Sequence, residues 1–383
     1  MDTFKYILVF ITIAMSISLS SCFGNDEPEI NDSTHRTVLV YMVATNDLGT
    51  LGFDTSDINE MESAIESIGN TNCRLLIYHT AYNSEPALIE IKNINGKAVT
   101  ETLKTYTSSI YSTSIERMSE VFSDTRSLAP ADDYGLVLWS HATGWVRELS
   151  TKSTTANFGI DVMDFGEDRK HQMSITELSE AIPSGMFSFI YADACYMGSI
   201  EIAYQLRNKT SYYIASPTET LGTGMPYDQN IPCFFEKTPN LIQACKNTFN
   251  EYDTQIGDYR SVTIALTDCS KLHGMAELCH NIHSTPASIE INPYELQKYN
   301  DGDPIYVDFL QYTSLLATES QSATLKNLLN DAVLYKACTP TFVDVEINKE
   351  HFSGLSTYIL GTSTSENETY YSTLDWYKDV YNH

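Results

Sequence analysis

Two segments, "LVLWSHATGW" (136–145) and "FIYADACYMGSIEIAYQL" (189–206), each carry an apolar run into a reactive side chain, His141 in the first and Cys195 in the second. An imidazole and a thiol together suit acyl transfer: the ring nitrogen takes or returns a proton while the sulfur attacks a carbonyl carbon. Both residues stand where a strand gives way to a loop, and in open parallel sheets ligands bind outside the carboxyl ends of strands. One helical crossover between the two strands would bring them to a common edge. The helix expected to begin near Gly198 places free N–H groups and a favourable dipole beside Cys195, which predicts an activated thiolate. The backbone N–H groups of Cys195 and Ala142 are the natural oxyanion donors. Asp193 lies one pleat before the thiol and has two readings, a cap on the following helix or a partner for a substrate cation. A carboxylate touching the thiol would raise its pKa, so the second role requires Asp193 to turn away.

A cysteine after a buried strand is commonly a small core residue. The shared strand-end placement of His141 and Cys195, with a long polar stretch between them, favours chemistry. No G-x-S-x-G segment is present for a serine hydrolase, nor a G-x-G-x-x-G or Walker lysine loop for a nucleotide.

The surrounding pattern alternates strand and helix. "TVLVYMVA" (37–44) is a continuous apolar, β-rich run of the kind buried on both faces of a sheet, and a helix is expected from Ser56 with Ile58, Met61, Ala64, Ile65 and Ile68 on one stripe. "CRLLIYHT" is a further strand, Asn95-Gly96 marks a hairpin, and a helix follows Ser114. After Trp139 the chain to about Gln172 reads as a long exposed loop. Ser174 and Glu177 then form a capping box, Met186–Ala192 is a strand, and "SYYIAS" and "RSVTIAL" are later ones. This order predicts an α/β fold, a mostly parallel sheet flanked by helices on both faces, with a C-terminal extension. The expected divisions are 1–21 signal peptide, 22–35 acidic tether, 36–285 core and 286–383 extension packing on the core.

The chain of 383 residues is 42% hydrophobic, enough for a substantial core, and its formal charge of −27 disfavours nucleic acid and anionic lipid headgroups while suiting solubility or a cationic substrate. Lys5 followed by an apolar stretch from Ile7 to Ile17 and "LSSC" has the form of an export signal, too short to span a membrane. It resembles a bacterial lipoprotein signal in which Cys22 becomes the lipidated N-terminus, predicting a lipid-anchored protein, periplasmic or on the cell surface, on a bacterial and specifically an outer membrane. The seven remaining cysteines are odd in number, so in an oxidising compartment at least one stays unpaired.

With "LVLWSHATGW", "YADACYMGSIEIAYQL", "YYIASPTETLGTGMPYD" and the C-terminal "SGLSTYILGTSTSENETYYSTLDWYKDV", the chain resembles the clostripain-like cysteine peptidases, relatives of caspases, gingipains and legumains, over about Thr37 to Tyr381. The resemblance implies a caspase-like sheet and an endopeptidase with a His141/Cys195 dyad. It puts Asp193 in the place of the acid that recognises Arg or Lys before the scissile bond. It also makes the loop from Ser216 through Thr218 to Tyr227 one wall of that pocket. Members are commonly made as precursors that cut themselves at a basic residue between His and Cys. Arg147, Lys152, Arg169 and Lys170 are the candidates here, and Lys152 in "STKSTT" is the choice. No cofactor is implied, except that some relatives use calcium. Where the family usually has Gly after its His this chain has Ala142, and a positive φ there would cost on the order of 1 kcal/mol. That departure supports an alternative, a catalytically silent surface lipoprotein binding basic peptides in the same acidic cleft. Neither the oligomeric state nor the natural substrate is legible.

Overall fold

Arg36–Val43 (β1) is buried along its whole length, the outcome expected of a continuous apolar run in the middle of a sheet. Its side chains alternate between two cores: Leu39, Tyr41 and Val43 face one, Val38, Val40 and Met42 the other. The computed structural model describes residues 34–146, 165–284 and 290–382. Cys22, Arg147 and Lys152 lie outside the described residues.

After β1 come Asp47–Thr50 (α1), Phe53–Ile68 (α2), Cys73–Ala81 (β2) and the hairpin Ser84–Ile94 (β3) and Lys97–Thr105 (β4), turned at Asn95-Gly96. Ile115–Leu128 (α3), Asp133–Trp139 (β5), Phe165–Asp168 (β6), His171–Met173 (β7) and Ile175–Ala181 (α4) follow. The second half continues with Phe187–Asp193 (β8), Ile200–Gln205 (α5), Thr210–Ala215 (β9), Tyr227–Phe235 (α6), Leu241–Asp253 (α7), Thr263–Asp268 (β10) and Leu272–His283 (α8). Tyr306–Asp308 (β11), Phe309–Leu316 (α9), Glu319–Ala332 (α10), Val333–Cys338 (β12), Thr341–Phe342 (β13), Val345–Glu346 (β14), Ser356–Tyr358 (β15), Ser365–Tyr371 (α11) and Asp375–Val380 (α12) complete it.

The central sheet has nine strands in the order β12-β10-β9-β8-β5-β1-β2-β3-β4. Its middle five, β9-β8-β5-β1-β2, are parallel, and antiparallel strands close both edges. Helices cover each face. Met61, Ala64 and Ile65 of α2, Ile231 and Phe234 of α6 and Ala244 of α7 pack on one, and Met118, Val121 and Phe122 of α3, Ile202 of α5, Met275 of α8 and Leu325 of α10 on the other. Each fully buried Val, Leu, Ile, Phe or Met side chain among them contributes about 1.5–3 kcal/mol before the entropy of ordering it. The residues after 286 share the compact unit with the rest, and β12 pairs with β10 as an edge strand of the sheet itself.

Two local expectations are corrected. α2 begins at Phe53, capped by Gly52 in a left-handed conformation, one turn before Ser56. The stretch before Gln172 is not loop throughout: Phe165–Met173 is a tight hairpin with Phe165 and Asp168 buried, and its turn uses left-handed Arg169 and Lys170. Left-handed side-chain residues carry no sequence signal as plain as glycine's, which is why that turn was not legible.

Candidate active site

The strand order reverses direction between β1 and β5, since β1 leads outward to β2 while β5 leads the other way to β8 and β9. Such a switch point opens a crevice at the carboxyl ends of the strands. Asn46, just past β1, secures the crevice: its amide donates to Val43 O at 2.9 Å, Ser140 Oγ at 3.3 Å and Glu167 O at 3.0 Å. Asn46 also caps α1 and so fixes Asp47 at that helix's first position.

β5 and β8 are neighbouring parallel strands in which Trp139 is level with Asp193. His141 and Cys195, each two residues farther on, therefore leave the same rim of adjacent strands. Nε2 of His141 is hydrogen-bonded to Asp47 Oδ1, so Nδ1 is the ring nitrogen outside that bond. Burial pushes the Asp47 carboxyl up, but the hydrogen bond and charge of His141 outweigh it and hold Asp47 below its ordinary range. Sequence reasoning missed Asp47, whose only signal is an acid at the carboxyl end of the first strand. Glu167 completes a set with Asp47 and His141 whose ligand atoms lie within 4.8 Å of one another. One imidazole and two carboxylates suit zinc better than calcium, which takes oxygen ligands.

The thiol is not at a helix start. The chain turns after β8, and α5 begins only at Ile200 with Ser199 as its cap, so Asp193 caps nothing and the anticipated dipole does not reach Cys195. The loop after β9 lies over the sulfur instead. Thr220 N–H donates to Cys195 Sγ at 3.3 Å and the thiol donates back to Thr220 O at 3.6 Å. Tyr196 N–H to Thr218 O at 2.8 Å and Gly198 N–H to Ser216 O at 2.7 Å pin the same loop along the turn of Cys195. Burial, then the nearby Glu219 carboxylate, push the Cys195 thiol up to about 12. The predicted thiolate is thus corrected for this conformation, in which the sulfur is a protonated thiol satisfied by one residue's backbone. Tyr196 beside it has φ 56°, a left-handed conformation that costs an aromatic residue about 1 kcal/mol or more and is maintained by its surroundings.

Those surroundings come from the C-terminal residues. Tyr306 stacks on Tyr196 with ring centroids 5.4 Å apart, while the Tyr196 hydroxyl donates to Glu219 at 2.9 Å. The Tyr306 hydroxyl donates to Thr143 O at 2.8 Å and accepts from Trp145 N at 3.1 Å and Val146 N at 3.2 Å. One hydroxyl thereby shapes the turn after His141, and its ring supports the turn after Cys195. Tyr306→Phe leaves two buried N–H groups without that acceptor, and about 1–3 kcal/mol of stability is expected to be lost. Denaturant unfolding checks this, with an unchanged midpoint contradicting it. Ala142 does not occupy the positive-φ region, so the anticipated strain is absent; it bridges to Phe165, with Gly166 N–H donating to His141 O at 2.9 Å.

Asp193 is turned away from the thiol and buried, accepting from Met225 N at 3.1 Å and the Tyr227 hydroxyl at 3.0 Å. Burial raises its carboxyl to about 6. Ser216 lines the cavity behind it with Gly224, Met225 and Tyr252, whereas Thr218 is fully buried in a hydroxyl cluster with Ser216 and Thr263 and supports the loop from beneath. The cavity holds only about 20 Å³, room for about one water, so no long side chain enters while the loop is down.

A second buried carboxyl, Asp57 of α2, accepts from the Trp139 indole N–H at 2.6 Å and lies close to Gly224 of the cavity lining. Sequence reasoning missed it, because an acid amid the polar residues of an amphipathic helix looks like a solvated face. Burial, then the charge of Asp193, raise Asp57 to about 9. A folded-state pKa raised above the unfolded value gives stabilisation that is full below about pH 4 and lost as pH climbs through about 9. Urea midpoints are therefore expected to fall between pH 5 and pH 9, less steeply in Asp57→Asn; identical slopes for the two proteins would contradict this.

All seven described cysteines are unpaired, and among the described residues no helix is long and apolar enough to cross a membrane. No curated protein matches the chain. Among solved structures, an inactive zymogen C11 protease from Parabacteroides distasonis is 31% identical over 91% of this chain and 99% of its own, with a TM-score of 0.79. A secreted C11 cysteine protease from Bacteroides thetaiotaomicron, in complex with an irreversible peptide inhibitor, is 29% identical over 90% and 98%, with a TM-score of 0.77. Another structure of a secreted C11 cysteine protease from that organism, called iotapain, is 28% identical with a TM-score of 0.78, covering 91% of this chain and 99% of its own. The Peptidase_C11 model, described as the clostripain family, matches residues 40–383, and the chain belongs to that family of cysteine peptidases.

Proposed function

We propose that the protein is an exported, lipid-anchored endopeptidase that cleaves after Arg, with Lys second, and is made as a precursor opened by self-cleavage between His141 and Cys195. The observation that carries the reading is the register of β5 on β8, which brings His141 and Cys195 to one rim with Asp193 buried at a cavity beside them. The resemblance to an inactive zymogen and the protonated, covered thiol support a closed precursor. The apolar N-terminal run ending at Cys22 supports export and lipidation.

In the opened enzyme His141 Nδ1 takes the thiol proton, and Asp47 holds the ring in the tautomer that can do so. The sulfur bonds to the carbonyl carbon of the residue whose side chain occupies the Asp193 pocket. The carbonyl oxygen becomes an oxyanion held by the N–H groups of Cys195 and Ala142. His141 returns its proton to the amide nitrogen, the C–N bond breaks, and water attacks the resulting thioester to release the acid and regenerate the thiol. Asp193 pairs with the basic side chain, and Ser216, Thr218 and Tyr227 shape its pocket. No step needs a metal, and calcium in this reading has no catalytic role.

Intact-mass measurement on purified protein during incubation tests the self-cleavage. Two fragments joining after a basic residue between His141 and Cys195 are expected, and Cys195→Ala is expected to stay whole. Lys152 is the assigned bond; Arg169 is the poorer one, since its guanidinium is paired with Asp168 at 2.8 Å. Full Arg-amide hydrolysis by an uncut chain would overturn the precursor step.

A further inference from the structure

A carboxyl on α2, that of Asp57, lies behind Gly224, which lines the pocket that holds Asp193. Gly224 sits between the two carboxyls: a Cβ placed there would be 2.7 Å from Asp193 Oδ2 and 3.3 Å from Asp57 Oδ2. Both oxygens thus flank one point of bare backbone, in a glycine whose φ of 62° only that residue adopts freely. Asp57 is 1% exposed and Asp193 6%, and they approach from different elements, α2 and the end of β8. Two acids without a cation between them are an unfavourable arrangement in a core. Their neutral partners are donors: the Trp139 indole and the Tyr227 hydroxyl each donate to one carboxyl oxygen.

We propose that Asp57 is a second specificity-determining residue of this pocket and that the pair selects Arg over Lys. This rests on the proposed preference for basic residues. A guanidinium carries five N–H donors in a planar fork and is best matched by carboxylates on two sides, whereas an ammonium is a compact charge that one carboxylate and neutral acceptors satisfy. Asp193 meets one edge of the fork and Asp57 another. When the pocket is empty, burial and mutual repulsion keep a proton on Asp57. The entering cation favours both anions, and that proton leaves to solvent. Gly224 belongs to the same design, because any side chain there would stand where the fork must pass.

The test uses the self-processed protein and compares kcat/KM on peptidyl-Arg and peptidyl-Lys amides of otherwise identical sequence. Asp57→Asn keeps the shape and an acceptor for Trp139, and it is expected to lower the Arg value about 10- to 100-fold through KM and the Lys value less than threefold. Asp57→Ala is expected to give the same collapse of the Arg/Lys ratio, and a retained melting temperature in either variant excludes misfolding as its cause. An unchanged ratio in both variants, with Asp193→Asn still abolishing cleavage after basic residues, overturns the role of Asp57 alone. A wild-type enzyme indifferent to basic residues overturns the underlying reading instead.

Discussion

Cys195→Ala is expected to remove peptidyl-Arg amide hydrolysis, lowering kcat by roughly 10⁴-fold or more, because loss of the nucleophile leaves only binding and oxyanion stabilisation. Folding should survive. The sulfur's contacts in the closed chain are two weak ones to the backbone of Thr220, and alanine occupies the same turn without strain. The wild-type thiol itself is expected to be unreactive before processing: with its pKa near 12, the thiolate fraction at neutral pH is negligible, so iodoacetamide should alkylate the intact chain far more slowly than the processed one. Equal activity of the Cys195→Ala variant would remove the nucleophile from the mechanism. Equal alkylation rates before and after processing would show that the loop over Cys195 does not restrain it.

The second large effect belongs to Asp193. Removing one partner of a buried, hydrogen-bonded ion pair costs about 3–5 kcal/mol, so Asp193→Asn is expected to lower kcat/KM on an Arg substrate by roughly 10²- to 10³-fold or more. The residual rate after a neutral residue should change little. A pH signature separates this from a structural defect. Asp193 holds its proton below about 6, where it cannot neutralise a guanidinium, so kcat/KM for Arg should fall as pH drops through that value. In Asp193→Asn that fall disappears. Equal losses on Arg and neutral substrates would assign Asp193 to the scaffold rather than to the pocket.

Much of this was legible because it rests on residues whose pattern is forced. A strand buried on both faces has to read as an unbroken apolar run, and β1, β5 and β8 do. Asn95-Gly96 has few conformations open to it other than the hairpin turn it makes. Ser174 with Glu177 forms the capping box its spacing describes. The strand ends then located His141, Cys195 and Asp193 without knowledge of any contact. What stayed hidden depends on long-range packing. Nothing local to Tyr306 indicates that its hydroxyl organises a turn 160 residues earlier. Asp57 has the sequence context of a solvated helix residue and the environment of a core. The state of the thiol was misjudged for the same reason. Placing Cys195 by strand and helix rules ignored the loop after β9, and burial, then Glu219 of that loop, push the thiol up.

The family's relatives among solved structures include an inactive zymogen and a complex with an irreversible peptide inhibitor. The energetic link between the closed and opened states proposed for this chain lies in few residues. Thr218 and Thr220 hold the turn of Cys195 through backbone groups and one hydroxyl, that of Thr220, which donates to Ala194 O at 3.3 Å, and Ser216 and Thr218 root the loop in a buried hydroxyl cluster with Thr263. A loop rooted at one end and held mainly by main-chain bonds at its tip can lift without unfolding the sheet beneath it.

The measurement that bears most directly on the central claim is labelling with an irreversible electrophile carrying an Arg side chain, followed by peptide mass mapping before and after self-processing. A single adduct on the Cys195 peptide of the processed wild-type chain is expected, with little on the intact chain and none on Asp193→Asn. An adduct on another cysteine, or no adduct on a processed chain that still cleaves after Arg, would contradict the assignment of Cys195 beside an Asp193 pocket.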